Sequence, residues 1–253
     1  MKLFSLKGRN ALITGSSRGL GFAIAEGLGC AGARVVLNGR NADTLAGARR
    51  KLRRKRIAAE ARAFDVTDEN QVRDAVAAIE RDIGPIHILV NNAGMNVRGA
   101  IEDFPTDDWH RLMDLNLHAP FYVSKAVGAR MIRRKRGKIV NVASLLSEAA
   151  RPTITPYAAS KAALTMLTKG LAVEWAKYGI QVNALAPGYF VTDMNRALKN
   201  DPQFDAWVRS RTPSGRWGEP SELAGAAVFL ASEASNFVTG QTIAVDGGWL
   251  AAL

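Results

Sequence analysis

Apolar positions along this chain alternate between two spacings. Short runs rich in apolar and β-branched residues stand at ALIT (11–14), RVVLN (34–38), EARAFDV (60–66), HILVNN (87–92), KIVNVAS (138–144), QVNALAP (181–187) and TIAVDG (242–247). Between them lie stretches whose apolar residues recur every three or four positions, at 19–31, 41–55, 69–82, 106–134, 155–177 and 221–231. The first spacing predicts strands and the second helices, and strands this continuously apolar are covered by helices on both faces. Repeated strand–helix units predict an α/β fold. It is expected to be a single domain over residues 1–253, doubly wound in the Rossmann manner on a parallel sheet of about seven strands. Ligands of such sheets bind beyond the carboxyl ends of the strands, so functional residues are expected just after them.

TITPYAASKAAL (153–164) surrounds a tyrosine and a lysine with helix signals. Thr155 is the expected N-cap, Pro156 the first helical residue, and the alanines that follow favour helix. Tyr157 and Lys161 stand four positions apart and therefore share one face. A phenol titrates near pKa ~10 and an ammonium near ~10.4. A lysine held charged beside the phenol favours phenolate, so the pair is expected to lower the tyrosine and to exchange a proton with an alcohol or ketone.

Directly after the first strand comes TGSSRGLG (14–21), with Gly15, Gly19 and Gly21 between a strand and a helix. Glycines let a backbone turn tightly and approach a pyrophosphate, while the helix N-terminus offers free N–H groups. Dinucleotide binding follows, although the spacing differs by one glycine from the commoner GxGxxG. An acid at the end of the second strand holds the ribose diol of NAD. Here that strand ends in Gly39 followed by Arg40, and Arg18 is a second cation in the glycine loop. Arginines suit a 2′-phosphate, so NADP is expected as the preferred cofactor, with NAD possible.

The formal charge of +11 raises the question of nucleic acid. RRKLRRKR (49–56) and RMIRRKRGK (130–138) hold thirteen basic residues, and the remainder is slightly acidic. Both runs fall at expected helix ends, where cations complement the dipole and stay hydrated. Neither carries an aromatic for base stacking or accompanies a DNA-reading motif, so no nucleic-acid partner is expected. Apolar runs stay short of the ~18 residues of a membrane span. MKLFSLKGRN lacks the apolar core of a secretory leader, and one cysteine, Cys30, suits a reducing compartment, so the expected location is the cytoplasm. His87, His110 and His118 show no metal-ligand spacing, and no metal is expected. The tryptophans read as packing, with Trp207 and Trp217 alternatively covering substrate.

The ordered set TGxxxGxG (14–21), NNAG (91–94), Ser144, YxxxK (157–161), PG (187–188) and DGG (246–248) resembles the short-chain dehydrogenase/reductase family from about residue 6 to residue 250. The resemblance implies an oxidoreductase acting on CH–OH with a nicotinamide cofactor. It implies a cofactor site of Gly15, Ser17, Arg18, Gly19, Leu20, Gly21 and Arg40, with Asp65 and Val66 at the adenine. Asn92, Ala93 and Gly94 then line the ribose side, and Tyr157, Lys161, Pro187, Gly188 and Thr192 surround the nicotinamide end. The implied catalytic residues are Asn116, Ser144, Tyr157 and Lys161. Ser144 hydrogen-bonds the substrate oxygen, Lys161 also holds the ribose, and Asn116 distorts its helix to hold a water leading to the lysine. Residues 188–219 are the implied substrate lid. The implied assembly is a homotetramer built through 106–134 and 155–177, with the carboxyl-terminal strand in a second interface.

Within that family the lid and SEAARPTITPY are similar to the gluconate 5-dehydrogenases, which implies a small-molecule sugar acid as substrate. Its carboxylate needs a cation, and Arg98 and Arg151, both after sheet strands, are the expected contacts beside Ser144 and Tyr157; Arg98 could instead pair with Glu102. Two departures stand out: MNVRG replaces a Gln-Arg-Arg run, and Leu146 stands where those enzymes carry glutamine. The alternatives are a 3-oxoacyl-thioester reductase, whose acidic carrier protein the basic runs could dock, and a non-catalytic dinucleotide-binding regulator.

Overall fold

All six residues of the central strand Gly137–Val142 are buried, as an apolar run covered on both sides requires. The structure, a computed structural model, describes residues 2–252. Its strands are β1 (Asn10–Ile13), β2 (Arg34–Gly39), β3 (Ala59–Ala63), β4 (Ile86–Asn91), β5 (Gly137–Val142), β6 (Ile180–Pro187) and β7 (Thr242–Val245). They pair in parallel in the order β3-β2-β1-β4-β5-β6-β7, one seven-stranded sheet, as the alternation of spacings leads one to expect. The helices are α1 (Gly19–Cys30), α2 (Ala42–Arg54), α3 (Glu69–Asp82), α4 (Thr106–Met113), α5 (Ala119–Arg134), α6 (Thr155–Trp175), α7 (Arg196–Lys199), α8 (Pro202–Arg211) and α9 (Ala224–Ala231).

Alternate strand residues face opposite layers. Ala11, Ile13, Val35, Leu37, Ile88 and Val90 join a core with Ile24 and Leu28 of α1, Leu52 of α2 and Leu230 of α9. Leu12, Val36, Leu89 and Ile139 join the other core, with Val76 and Ile79 of α3 and Val123 and Val127 of α5. The strand order reverses between β1 and β4, which opens a crevice at their carboxyl ends.

Three local expectations are corrected. β3 ends at Ala63 rather than 66, because Ala63 pairs with Gly39, the last residue of β2, and no partner lies beyond. The pattern over 106–134 is broken by a π turn at Asp114–His118 between α4 and α5. The N-cap of α6 is Ile154, without a side-chain cap bond, and Thr155 is already helical. Ile154 is fully buried, so apolar packing anchors the entry to this helix in place of a cap. Within 188–219 the chain forms α7 and α8, and the base of this segment closes where Val191 N–H donates to the Gly218 carbonyl and Gly218 N–H to the Tyr189 carbonyl, both at 2.9 Å.

The basic runs close α2 and α5, as the charge pattern suggests. Arg53 reaches Glu60 at 2.9 Å, Lys55 reaches Glu26 at 2.5 Å, Arg134 reaches Glu80 at 2.9 Å, and Arg136 pairs with Glu233. Among the described residues no helix is long and apolar enough to cross a membrane.

Candidate active site

The loops after β1 and β4 are bonded into one unit at the crevice. Thr14 Oγ1 accepts the N–H groups of Asn92 and Ala93 at 2.9 and 3.0 Å. Asn92 Nδ2 returns bonds to the Thr14 and Gly15 carbonyls, both at 3.0 Å. A side chain at Gly15 would stand 2.8 Å from Ala93 Cα, and one at Gly21 would stand 2.3 Å from Asn92 Nδ2, so both close approaches require glycine. Ser16 Oγ donates to the Ile13 carbonyl at 2.7 Å and accepts the Asn38 N–H at 3.1 Å, which ties the loop to β2.

Arg18 is the N-cap of α1 and makes no side-chain cap bond, so the first-turn N–H groups that follow are left for a ligand. Beside them Gly19 faces open space. That cradle fits a pyrophosphate. Arg18, in the glycine loop, and Arg40, directly after β2, are both exposed, and among the described residues neither pairs with a carboxylate. Ser17 and Leu20 flank the same turn, half-buried. Asp65 accepts the Thr67 N–H at 2.9 Å and its hydroxyl at 2.7 Å, and the Val66 side chain is buried. At the end of β6, Pro187 leads to Gly188, where a Cβ would stand 2.7 Å from Asp246 Cα, and Thr192 caps the next turn half-buried.

Asn116 sits in the π turn, fully buried, as the expected helix distortion requires. Its Oδ1 accepts the Met95 N–H, and its Nδ2 donates to the Met95 carbonyl, both at 2.9 Å, and to Ser160 Oγ at 3.0 Å. Ser160 Oγ in turn donates to the Tyr157 carbonyl at 2.8 Å. A Cβ on Gly94 would stand 3.2 Å from Asn116 Oδ1 and 3.5 Å from Lys161 Nζ, so all three meet at one point. Lys161 Nζ donates to the Val142 carbonyl at 2.8 Å and lies 5.8 Å from the centre of the Tyr157 ring. Ser144, ending the run after β5, caps a short turn by accepting the Leu146 N–H at 3.1 Å, and its hydroxyl is close enough to Tyr157 to oppose the effect of burial on the phenol.

The electrostatics set the resting state of the pair. Burial pulls the Lys161 ammonium down to about 8. Burial raises the Tyr157 phenol, a hydrogen bond from Ser144 opposes the rise, and Tyr189 adds to it. In this chain alone the phenol is thus held protonated rather than acidic. Dehydration outweighs the lysine, whose Nζ bonds a carbonyl.

Arg98 and Arg151 come together on the segment 188–219. Their guanidinium carbons lie 5.8 and 5.3 Å from the centre of the Phe204 ring in α8. The loops that carry them are joined by the Gly99 N–H, which donates to the Thr153 carbonyl at 3.2 Å; Thr153 holds φ +67, unusual for a β-branched residue. Among the described residues neither arginine makes an ion pair, the alternative pairing of Arg98 with Glu102 included. Burial, then the neighbouring Arg151 charge, pull Arg98 below the usual arginine range against an opposing effect of Tyr189. Trp217 is buried and its Nε1 donates to Asp205 at 2.7 Å, which settles it as packing; Trp207 lies on α8 at the surface. Among the described residues no cluster of histidines, cysteines and carboxylates could hold a metal ion.

Sequence reading missed Thr14, Ser16, Asn38 and Ser160, which position the expected residues. Thr14 had a signal in its place before Gly15, whereas Ser160 looked like any small helix residue. Phe204 and Tyr189 had none.

A family model described as enoyl-(acyl carrier protein) reductase matches residues 15–250. The chain is 54% identical over 246 residues to a gluconate 5-dehydrogenase of Gluconobacter oxydans, covering 97% of this chain and 96% of that one. It is 51% identical to a 5-keto-D-gluconate 5-reductase of Escherichia coli over 99% of both. A gluconate 5-dehydrogenase from Burkholderia cenocepacia, crystallised with NADP and tartrate, superposes with a TM-score of 0.97 at 53% identity, over 100% of this chain and 99% of that one.

Proposed function

Because the chain belongs to the short-chain dehydrogenase/reductase family, we propose that it is an NADP-dependent oxidoreductase of sugar acids, acting on the secondary alcohol of gluconate and the ketone of 5-ketogluconate. NADP supplies or takes the hydride when bound, and NAD is the weaker alternative. The cradle of Gly15, Ser17, Gly19, Leu20 and Gly21 holds the pyrophosphate, and Arg18 and Arg40 meet the 2′-phosphate. Asp65 and Val66 flank the adenine, Asn92, Ala93 and Gly94 the ribose, and Pro187, Gly188 and Thr192 the carboxamide end.

Tyr157 gives its proton to the carbonyl oxygen in reduction and recovers it in oxidation. Burial keeps that phenol loaded, the form that ketone reduction requires. The Ser144 hydroxyl orients the reacting oxygen. Lys161 restores the proton and holds the ribose, and Asn116 keeps Lys161 and the Met95 turn in place.

The observation that carries the substrate is the pair Arg98 and Arg151, two guanidinium groups without a carboxylate, stacked on one ring. A sugar acid brings the missing charge. Residues 188–219 act as the lid of a single domain. Exposed Phe121, Met166 and Val173 on α5 and α6 support a homotetramer built through these helices, and the unpaired Cys30 supports a cytoplasmic setting.

The test is an assay of the purified chain with NADPH and NADH against 5-ketogluconate, gluconate, other polyols and keto acids, and an acyl thioester. Turnover of the gluconate pair with NADP preferred is expected. No turnover of any sugar acid, or turnover confined to the thioester, overturns the reading.

A further inference from the structure

Tyr189 opens the segment 188–219, and its ring is locked on every side. Phe204, Trp207, Trp217 and Trp249 pack on it with centroid distances of 5.8, 5.9, 5.6 and 5.0 Å, three of them edge-on. Its backbone carbonyl takes the bond from Gly218 that closes the base of the segment. Its hydroxyl is buried and has no hydrogen-bond partner.

Packing does not account for that hydroxyl. Phenylalanine would fill the same aromatic box, and a buried polar group left unpaired costs about 1–3 kcal/mol. The surroundings say what it faces. Phe204, packed on Tyr189, is the ring on which both Arg98 and Arg151 stack. Arg151 comes close enough to pull the phenol down against the effect of burial, though short of good hydrogen-bond geometry, and Arg98 acts in the same sense. Tyr189 is also within electrostatic reach of Tyr157. Arg151 Nε is likewise buried without a partner. The hydroxyl thus shares the Phe204 wall with the anion-binding pair, and the proton-transfer group is within its electrostatic reach.

We infer that Tyr189 determines specificity, its hydroxyl hydrogen-bonding one hydroxyl of the sugar acid on the carbons between the carboxylate and the reacting carbon. This rests on the sugar-acid reading above. A rigid site that offers a buried hydrogen-bonding group rejects an analogue lacking the matching hydroxyl, because the group is then left unpaired. Hydroxylated acids are therefore favoured over the deoxy acid that lacks this one hydroxyl, without any change in the proton chemistry.

The test is Tyr189→Phe, assayed in the oxidative direction on gluconate and on the mono-deoxy gluconates lacking one hydroxyl between C1 and C5. With gluconate, KM is expected to rise about 10-fold with kcat largely kept, as for the loss of one neutral hydrogen bond felt equally in ground and transition states. For one deoxy acid the wild type already shows that penalty, and the substitution adds less than about 2-fold. NADP affinity is expected to hold and the thermal midpoint to hold or rise, since the ring and its packing remain and only an unpaired buried hydroxyl is removed. An unchanged KM on gluconate, or the same rise on every deoxy acid, overturns the assignment while leaving the sugar-acid reading intact. A wild-type enzyme inert toward all these acids overturns both. A collapse of kcat or of the thermal midpoint instead marks Tyr189 as structural and also overturns it.

Discussion

Two buried lysines stand at opposite ends of β5 and differ in what surrounds them. Lys138, near the start of the strand, is 9% exposed; Lys161, whose Nζ holds the carbonyl of Val142 at its end, is 4% exposed. Burial pulls both to about 8. At the lower end Ser235 Oγ accepts from Lys138 at 3.2 Å, Glu233 opposes the shift, and the same Glu233 pairs with Arg9 and Arg136. At the upper end burial alone acts on Lys161, and among the described residues Arg18, Arg40, Arg98 and Arg151 make no ion pair. A depressed lysine is therefore not by itself the mark of a site. Positive charge left without a counter-charge at the carboxyl ends of the strands is, because a ligand then supplies the balance.

The comparison breaks first on turnover. Lys161→Met is expected to lower kcat/KM for 5-ketogluconate reduction by about 10²–10⁴-fold, the range of a lost acid–base function. Lys138→Met, with the same loss of a buried ammonium, is expected to stay within about threefold, since it touches nothing at the upper end. Steady-state kinetics of the two variants side by side decides this. Comparable losses would erase the distinction between the ends.

A second contrast lies among the unpaired cations themselves. Arg40→Asp is expected to weaken NADPH by about 10- to 100-fold, the loss of a charge-assisted contact and its replacement by repulsion, while NADH changes by less than about threefold. Titration of both nucleotides by fluorescence measures it. Unchanged cofactor preference would refute the role of Arg40 and leave the upper cations as ordinary surface charge.

How much of this was legible beforehand follows the distance over which each feature is built. The glycine loop, the Gly39–Arg40 end of β2 and the Tyr157–Lys161 face are each written within a few consecutive residues, and all appear where the spacing placed them. The convergence of Arg98, Arg151 and Tyr189 on Phe204 joins four segments spread over more than a hundred positions, and no local pattern encodes it. The end of β3 depended on how far β2 runs. The direction of the Tyr157 shift depended on burial, which a motif does not display.

The finest test of the comparison concerns stability. Lys138 has a folded pKa of about 8 against an ordinary value of 10.5, so between those pH values the unfolded chain binds more protons than the folded one. Its burial penalty is accordingly full below pH ~8 and fades as pH climbs toward ~10.5. Lys138→Met removes the penalty and keeps the bulk of the chain, and Ser235 Oγ keeps the carbonyls of Leu230 and Ser232 as partners. The ammonium lines a cavity of about 290 Å³ open to solvent and feels Glu233, so the gain is smaller than the shift alone implies. About 1–2 kcal/mol at pH 7 is expected, a rise of roughly 3–6 °C in thermal midpoint, shrinking toward zero near pH 10. Lys161→Met strips a donor from the Val142 carbonyl, which offsets about 1–3 kcal/mol of any similar gain. Thermal scans of both variants and the wild type from pH 7 to 10 read the difference; a Lys138→Met midpoint that falls at pH 7, or a gain that does not vary with pH, would show that Glu233 and Ser235 already compensate the lower lysine in full.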